Sequence, residues 1–223
     1  GSAAILLAAT LTALAWVNLD PHSYETVWRT PLSIRLGDSA ISQDLRHWVN
    51  AGLMTFFFFV VGLEARREFD LGELRERRRL AVPLLAGTGG MLVPVAIYLA
   101  FNAGQSSAHG WGVVLPTDTA FALGILALVG PRFPDRLRAF MLTVVVIDDL
   151  VALGVIAFAY TDQVAVTALI VGVAIFAVML LVRAVGLRRG AVFALLGVAA
   201  WVAFLESGVD PVIVGLLMGL LTF

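Results

Sequence analysis

Two adjacent aspartates interrupt a long apolar run and limit what this chain can fold into. Asp148 and Asp149 lie within residues 139–160, AFMLTVVVIDDLVALGVIAFAY, which carries no other charged side chain. A helix of this length, at about 1.5 Å per residue, crosses the roughly 30 Å core of a bilayer and places the pair near the midplane. One carboxylate there costs about 2.5–3.5 kcal/mol, and repulsion between neighbours opposes ionising both. The pair therefore indicates a site that protons or small cations visit.

The composition agrees with a membrane location. Of the 223 residues, 60% are hydrophobic and only 14% are charged, whereas soluble domains are about 25% charged. We therefore predict an all-α polytopic membrane protein. Cysteine is absent, which excludes disulfides and thiolate metal sites within this sequence. Without a nucleophile–base pair or a phosphate-binding loop, we expect neither an enzyme nor a cofactor, and we expect no nucleic-acid partner.

Apolar windows predict eight helices in a single transmembrane domain that covers residues 1–223. The first window has no basic leader and no cleavage site, so we expect it to be a retained helix rather than a signal peptide. The windows are about 2–19, 48–64, 81–101, 111–129, 139–160, 164–183, 191–205 and 209–223.

Arginine placement predicts the orientation of these helices. From the second connection onward, every second connection is rich in arginine: 65–80 carries six, 130–138 three and 183–190 three. Only the long first connection breaks the pattern, with Arg29, Arg35 and Arg46 set among acids. The connections between them, 102–110, 161–163 and 206–208, carry none. Because basic loops stay in the cytoplasm, we expect the N-terminus to be cytoplasmic.

The first connection, residues 20–47, has the pattern of a small β-hairpin near 31–42. Leu32, Ile34 and Leu36 alternate with polar residues, and Gly37 with Asp38 marks a turn. An exposed hairpin edge can pair with a second copy, so we expect either a homodimer contact or a hairpin lying flat on its own chain.

The fourth window contains a proline followed by polar residues. Pro116 precedes Thr117, Asp118 and Thr119. Proline removes a backbone donor and disrupts the preceding turn, and unwound backbone at membrane depth is tolerated where it lines a cavity. We expect an unwound helix within about 111–129, whose carbonyls and hydroxyls could coordinate a dehydrated cation; the alternative is a simple kink.

Charged residues gather where the second window ends. Glu64 and Arg67 are spaced for an i,i+3 ion pair, and Glu68 comes directly after them. This cluster fits either an anchored helix end or an acidic mouth that gathers cations and senses cytoplasmic pH.

Four strings in order resemble the NhaA-type sodium/proton antiporters. They are FFFFVVGLEARREF at 56–69, PTDTAFALGILALVG at 116–130, VVVIDDL at 144–150 and WVAFLESGVDPVIVGLLMG at 201–219. The resemblance runs from the first helix to the last residue. It implies an inverted-repeat helical bundle in the bacterial inner membrane, with several passes.

The same resemblance implies an activity and a set of residues. The activity is electrogenic, pH-regulated exchange of cytoplasmic Na⁺ or Li⁺ for external protons, in a homodimer joined by the hairpin. Asp148 and Asp149 would hold the ion, with Asp149 the direct ligand, and Thr117 and Asp118 would belong to the unwound helix beside it. Glu64, Arg67 and Glu68 would form the pH-responsive cytoplasmic mouth.

Three departures from the family pattern keep alternatives open. Ala51 stands where the family has an aspartate, and Asp210 stands where it has a histidine. The family has about twelve helices, so we expect this chain to correspond to an N-terminal portion that lacks the second unwound helix and a membrane-embedded basic residue. The alternatives are a transport-inactive fragment that dimerises or regulates, and a sodium-coupled symporter or cation channel.

Overall fold

The computed structural model describes residues 2–36, 39–71, 81–115, 121–122, 124, 134–159, 164–187 and 189–222. Within this part the chain is a set of apolar helices with one small antiparallel sheet. The predicted fold class, an all-α polytopic membrane protein with a hairpin, is confirmed.

Nine α-helices are described, together with one π-helical and one 3₁₀ segment. The π segment, Trp48–Leu53, joins α3 to α4 without a break, and the 3₁₀ segment, Ser106–Val114, comes after α5. The α-helices are α1 (Ser2–Leu19), α2 (Pro21–Trp28), α3 (Leu45–His47), α4 (Met54–Leu71), α5 (Ala81–Asn102), α6 (Asp135–Ala159), α7 (Val166–Ala184), α8 (Gly190–Ser207) and α9 (Val212–Leu221).

Four helical stretches of the described residues are long and apolar enough to cross a membrane: Leu45–Arg67, α5, α7 and α8. Helices α1 and α2 meet at a 115° bend and would count as a fifth if they formed one span. Helix α6 has 25 residues and carries the aspartate pair. Helix α9 is described over 10 residues, about 15 Å of rise.

The first connection holds the predicted hairpin and a helix that was not predicted from the sequence. Strand β1 (Pro31–Leu36) pairs with β2 (Ser39–Asp44), with Ile34 opposite Ile41. Helix α2 begins because the Asp20 side chain accepts a hydrogen bond from the Ser23 amide, and Pro21 occupies the first helical position.

The π turn was not foreseen from the sequence, which predicted a helix over about 48–64 without indicating its winding. Its first six residues, Trp48–Leu53, are wound as a π-helix. Met54 marks the return to α-helical winding. The irregular winding coincides with a hydrogen bond from Trp201 of α8 to the Ala51 carbonyl.

Helices α4 and α9 cross at glycines with their backbones in close contact. A Cβ atom added to Gly219 would lie 2.7 Å from the Cα of Gly62, and one added to Gly215 would overlap the Thr55 carbonyl oxygen. Small residues allow such close approach between membrane helices. Val61, Leu153, Val212 and Leu216 form the buried cluster beside this crossing, which brings α6 against both helices.

A second cluster ties α7 and α8 to the other side of α9. Its buried members are Met179, Ala200, Phe204 and Val214. The Phe176 and Phe204 rings meet edge to face, with centroids 6.0 Å apart. Helix α9 is therefore the element on which the two halves of the described bundle meet.

Candidate ion site and its supporting helices

The two aspartates lie in the middle of α6 and are buried. Asp148 exposes 4% of its surface and Asp149 exposes 6%. Continuous helix on both sides fixes them as neighbours about 100° apart around the helix axis. The fold therefore withdraws both carboxylates from solvent, and their position at the membrane midplane stays a prediction.

The helix is enclosed on every side at the level of the pair. Residues 145–149 are all buried, and five consecutive helical residues cover more than one full turn. Helix α5 packs on one side, where a Cβ at Gly87 would lie 3.4 Å from the Ile147 side chain. Helices α4 and α9 pack on another side through Leu153, which shares a helix face with Asp149 at the i,i+4 spacing.

One polar residue near the pair was missed by the sequence analysis. Thr143 lies on α6 between one and two turns before the aspartates and is fully buried, with 0% exposure. A threonine inside an otherwise apolar run was the signal that could have found it. Threonine hydroxyls donate and accept hydrogen bonds, so Thr143 adds polar character to this part of the helix.

The unwound-helix residues Thr117 and Asp118 lie outside the described residues. The structure therefore neither brings them to the aspartates nor separates them. Before that gap the chain runs as the 3₁₀ segment Ser106–Val114. The Tyr98 hydroxyl donates to the Ser107 carbonyl at 2.7 Å and ties this segment to α5.

The charged residues at the end of α4 form local ion pairs. Arg67 lies 3.8 Å from Glu64, the predicted i,i+3 pair, and Arg66 lies 2.7 Å from Asp70. Arg67 is 71% exposed at its side chain, so solvent screens the first pair strongly. The Glu68 side chain lies outside the described part of the chain. The Glu64–Arg67 pair stands one turn beyond Val61, the α4 residue that packs near Leu153.

The start of the α4 span is held by a tryptophan of α8. The Trp201 indole N–H donates to the Ala51 carbonyl at 2.8 Å and lies 3.1 Å from the Thr55 hydroxyl. The Thr55 hydroxyl also donates to the Ala51 carbonyl. The Trp201 ring stacks on Trp48, with centroids 6.0 Å apart and planes 19° apart. These contacts were not foreseen from the sequence.

Two acidic residues, Glu25 and Asp210, lie outside the four unbroken helical stretches that are long and apolar enough to cross a membrane. Glu25 pairs with Arg46 at 3.0 Å and with Arg29 at 2.7 Å, and the hydrogen bond from Arg46 is the main reason that the pKa of Glu25 is lowered. Asp210 lies in the connection before α9 and accepts a hydrogen bond from the Val212 amide at 3.0 Å. Burial raises the pKa of Asp210, and that amide partly opposes the rise.

Apolar helices that enclose two adjacent carboxylates define a polytopic membrane protein with an acidic site inside its helical bundle. The comparison with known proteins then gives the family. The family model described as Na+/H+ antiporter 1 matches residues 1–223. The chain belongs to this Na⁺/H⁺ antiporter family.

Individual relatives agree with the family assignment. The chain is 65% identical over 223 residues to the protein named Na(+)/H(+) antiporter NhaA 1 of Salinispora arenicola, covering 100% of this chain and 34% of that protein. It is 48% identical over 217 residues to Na(+)/H(+) antiporter NhaA of Oleidesulfovibrio alaskensis, covering 97% of this chain and 48% of that protein. The chain thus spans between a third and a half of the length of these relatives.

Proposed function

We propose that the complete protein is an electrogenic antiporter that exchanges cytoplasmic Na⁺ or Li⁺ for a larger number of external protons. The observation that carries the proposal is the burial of Asp148 and Asp149 side by side, at 4% and 6% exposure. Membership of the Na⁺/H⁺ antiporter family supports the identity of the two ions. The ions are cargo, and no resident cofactor is part of the proposal.

The charge balance of the pair accounts for exchange. Two carboxylates enclosed by apolar helices carry a large desolvation cost when both are ionised and uncompensated. Protons or a sodium ion can each provide the compensation, and the two occupy the same oxygens. Binding of one Na⁺ in place of two protons changes the charge of the site by one unit, which makes the cycle sensitive to membrane voltage. Thr117 and Asp118 would supply further oxygen ligands or tune the site.

Orientation and regulation complete the proposal. The arginine-rich connections support a cytoplasmic position for the N-terminus and the Glu64–Arg67–Glu68 region of a protein in the bacterial inner membrane. There this region would respond to cytoplasmic pH. The open edges of the β1–β2 hairpin, with Leu32 and Ile34 about half exposed, favour a homodimer contact on the outer face.

A proteoliposome assay of the complete protein tests the activity. Vesicles with an acidic lumen and a quenched pH-sensitive dye receive NaCl at alkaline external pH, with choline chloride as the salt control. Sodium-dependent dequenching is the expected result. Its absence in the complete protein contradicts the proposal. Voltage-driven sodium flux without proton movement indicates a channel, and a requirement for an organic solute indicates a symporter.

A further inference from the structure

The π turn Trp48–Leu53 is an irregularity at the head of a membrane-spanning helix. Its winding is seen where the Met54 amide donates to the Val49 carbonyl, five residues earlier. π turns inside α-helices are rare and occur frequently at functional sites. This turn therefore calls for a physical cause and a consequence.

A side chain from another helix contacts this turn. Trp201 of α8 donates its indole N–H to the Ala51 carbonyl in the middle of the turn, and its ring stacks on Trp48, the first residue of the turn. Thr55 supplies a second donor to the same carbonyl. Because Ala51 is itself buried at 8% exposure, water cannot easily replace these donors.

The consequence is a fixed rotation of α4. A π turn advances fewer degrees per residue than an α turn, so rewinding this segment as α-helix would rotate the remainder of α4 by about one residue step, roughly 100°. Below the turn, α4 places Gly62 against Gly219 of α9 and Val61 near Leu153 of α6. The turn thus sets which face of α4 meets the helix that carries the two aspartates.

We propose that Trp201 is a positioning residue for the ion site. Its indole N–H holds the Ala51 carbonyl outside the regular helical ladder, and this holds α4 in the rotation that packs against the Asp148–Asp149 helix. The link to the ion rests on the proposed antiporter function, whereas the link to α4 rotation does not. Trp201 acts on the ion only through α4.

The test uses Trp201→Phe, which keeps an aromatic ring and removes only the N–H donor. Trp16→Phe is the matched control, because the Trp16 indole donates to the Ser23 hydroxyl at 2.7 Å, outside the α4–α8 contact. Thr55→Val removes the second donor with little change in shape, and Thr55→Ser retains it. All four variants are made in the complete protein, and monodispersity in size-exclusion chromatography confirms folding.

Two measurements are made on each variant. The first is the rate of maleimide labelling of Ala65→Cys, in a background with any other cysteine replaced; Ala65 is fully buried at 0% exposure and this sequence has no cysteine. We expect Trp201→Phe and Thr55→Val to raise this rate about tenfold as the buried position opens. The second is sodium-driven exchange, in which the apparent KM for Na⁺ should rise about threefold to tenfold while the maximal rate changes less than twofold.

The outcomes are separable. Unchanged labelling rates in both Trp201→Phe and Thr55→Val overturn the proposal that Trp201 holds the π turn and the rotation of α4. Equal labelling rates in Trp16→Phe and Trp201→Phe overturn it as well. Faster labelling with an unchanged KM overturns the link to the ion site. A parent protein that exchanges no sodium for protons contradicts the antiporter proposal instead, and the labelling rates then decide alone whether Trp201 holds the turn.

Discussion

Trp48 and Trp201 stack with nearly parallel rings, whose centroids are 6.0 Å apart and whose planes are 19° apart. Each ring has a second attachment: the Trp48 indole donates to the Leu32 carbonyl of the hairpin at 2.8 Å, and the Trp201 indole donates to the Ala51 carbonyl. One pair of rings therefore joins the hairpin, the π turn and α8. A contact made at the hairpin, such as the proposed dimer, would bear directly on the helix that packs beside the aspartates.

The glycine crossing between α4 and α9 predicts that even a glycine-to-alanine substitution there lowers the stability of the protein. Gly219→Ala places a Cβ 2.7 Å from the Cα of Gly62 and against the Phe59 carbonyl. The helices must separate, which costs about 1–3 kcal/mol. Gly89→Ala is the control, since a Cβ there meets nothing within 4 Å. Thermal unfolding followed by tryptophan fluorescence should show a lower Tm for Gly219→Ala alone; equal Tm values would contradict the crossing.

The Glu25–Arg46 pair predicts an acid-sensitive contribution to stability. The pKa of Glu25 lies below its ordinary value of 4.5, mainly because Arg46 donates a hydrogen bond to the carboxylate. Its stabilisation is therefore present above pH 4.5 and is lost as pH falls through the lowered pKa. Because the pair is exposed, Glu25→Gln should lower Tm at pH 7 by no more than about 2 °C. The Tm difference should shrink below pH 4.5; a Tm difference that grows in acid would contradict this account.

Asp210 predicts a pH dependence of stability opposite to that of the Glu25–Arg46 pair. Burial raises its pKa above the ordinary 3.8, so in the folded protein its ionised form carries a desolvation cost at neutral pH. Asp210→Asn removes the charge and keeps the oxygen that accepts from the Val212 amide. We expect a Tm about 2 °C higher than that of the parent at pH 7, with the gain disappearing as pH approaches 3.8. Asp70→Asn, an exposed acid paired with Arg66, is the control. An unchanged or lower Tm for Asp210→Asn at pH 7 would refute this account.

Replacing Arg67 should change the pH dependence of exchange more than its maximal rate. Arg67→Ala removes a positive charge 3.8 Å from Glu64 and makes the end of α4 more negative. Extra negative charge favours proton binding, so the pH of half-maximal exchange should move to alkaline values by about 0.5 unit, with less than a twofold change in maximal rate. Arg67→Lys keeps the charge and should keep the profile. If the profile of Arg67→Ala matches the parent, the region serves only to anchor the helix.

Much of the fold can be predicted from local patterns in the sequence. The hairpin could be predicted because Leu32, Ile34 and Leu36 alternate beside a Gly37–Asp38 turn signal, and strand pairing depends on that local order. The helical, membrane-spanning character is set by the apolar windows alone. Helix α2 was missed although its signal was present, because an aspartate cap before Pro21 was read as part of a connection.

The contacts that shape the site depend on residues far apart in the chain. The proposed support of the π turn comes from Trp201, which lies 150 positions after Ala51. The residue pattern within 48–53 gives no indication of that contact. The helical glycines also differ in their surroundings: Gly215 and Gly219 pack against α4, while a Cβ at Gly89 or Gly90 would meet nothing within 4 Å. The sequence could place Asp148 and Asp149 in a helix, but only the packing of α4, α5 and α9 shows that the helix is enclosed there.

Proton release on sodium binding tests the central claim most directly. Isothermal titration calorimetry of the complete protein with NaCl, in two buffers of different ionisation enthalpy, counts the protons that leave as Na⁺ binds. We predict that binding to the parent protein releases protons, and that Asp149→Asn, with folding checked by size-exclusion chromatography, shows neither sodium binding nor proton release. Glu206→Gln, an acid at the exposed end of α8, should behave as the parent. Sodium binding without proton release in the parent, or normal binding by Asp149→Asn, would contradict the assignment of the buried aspartates as the shared site.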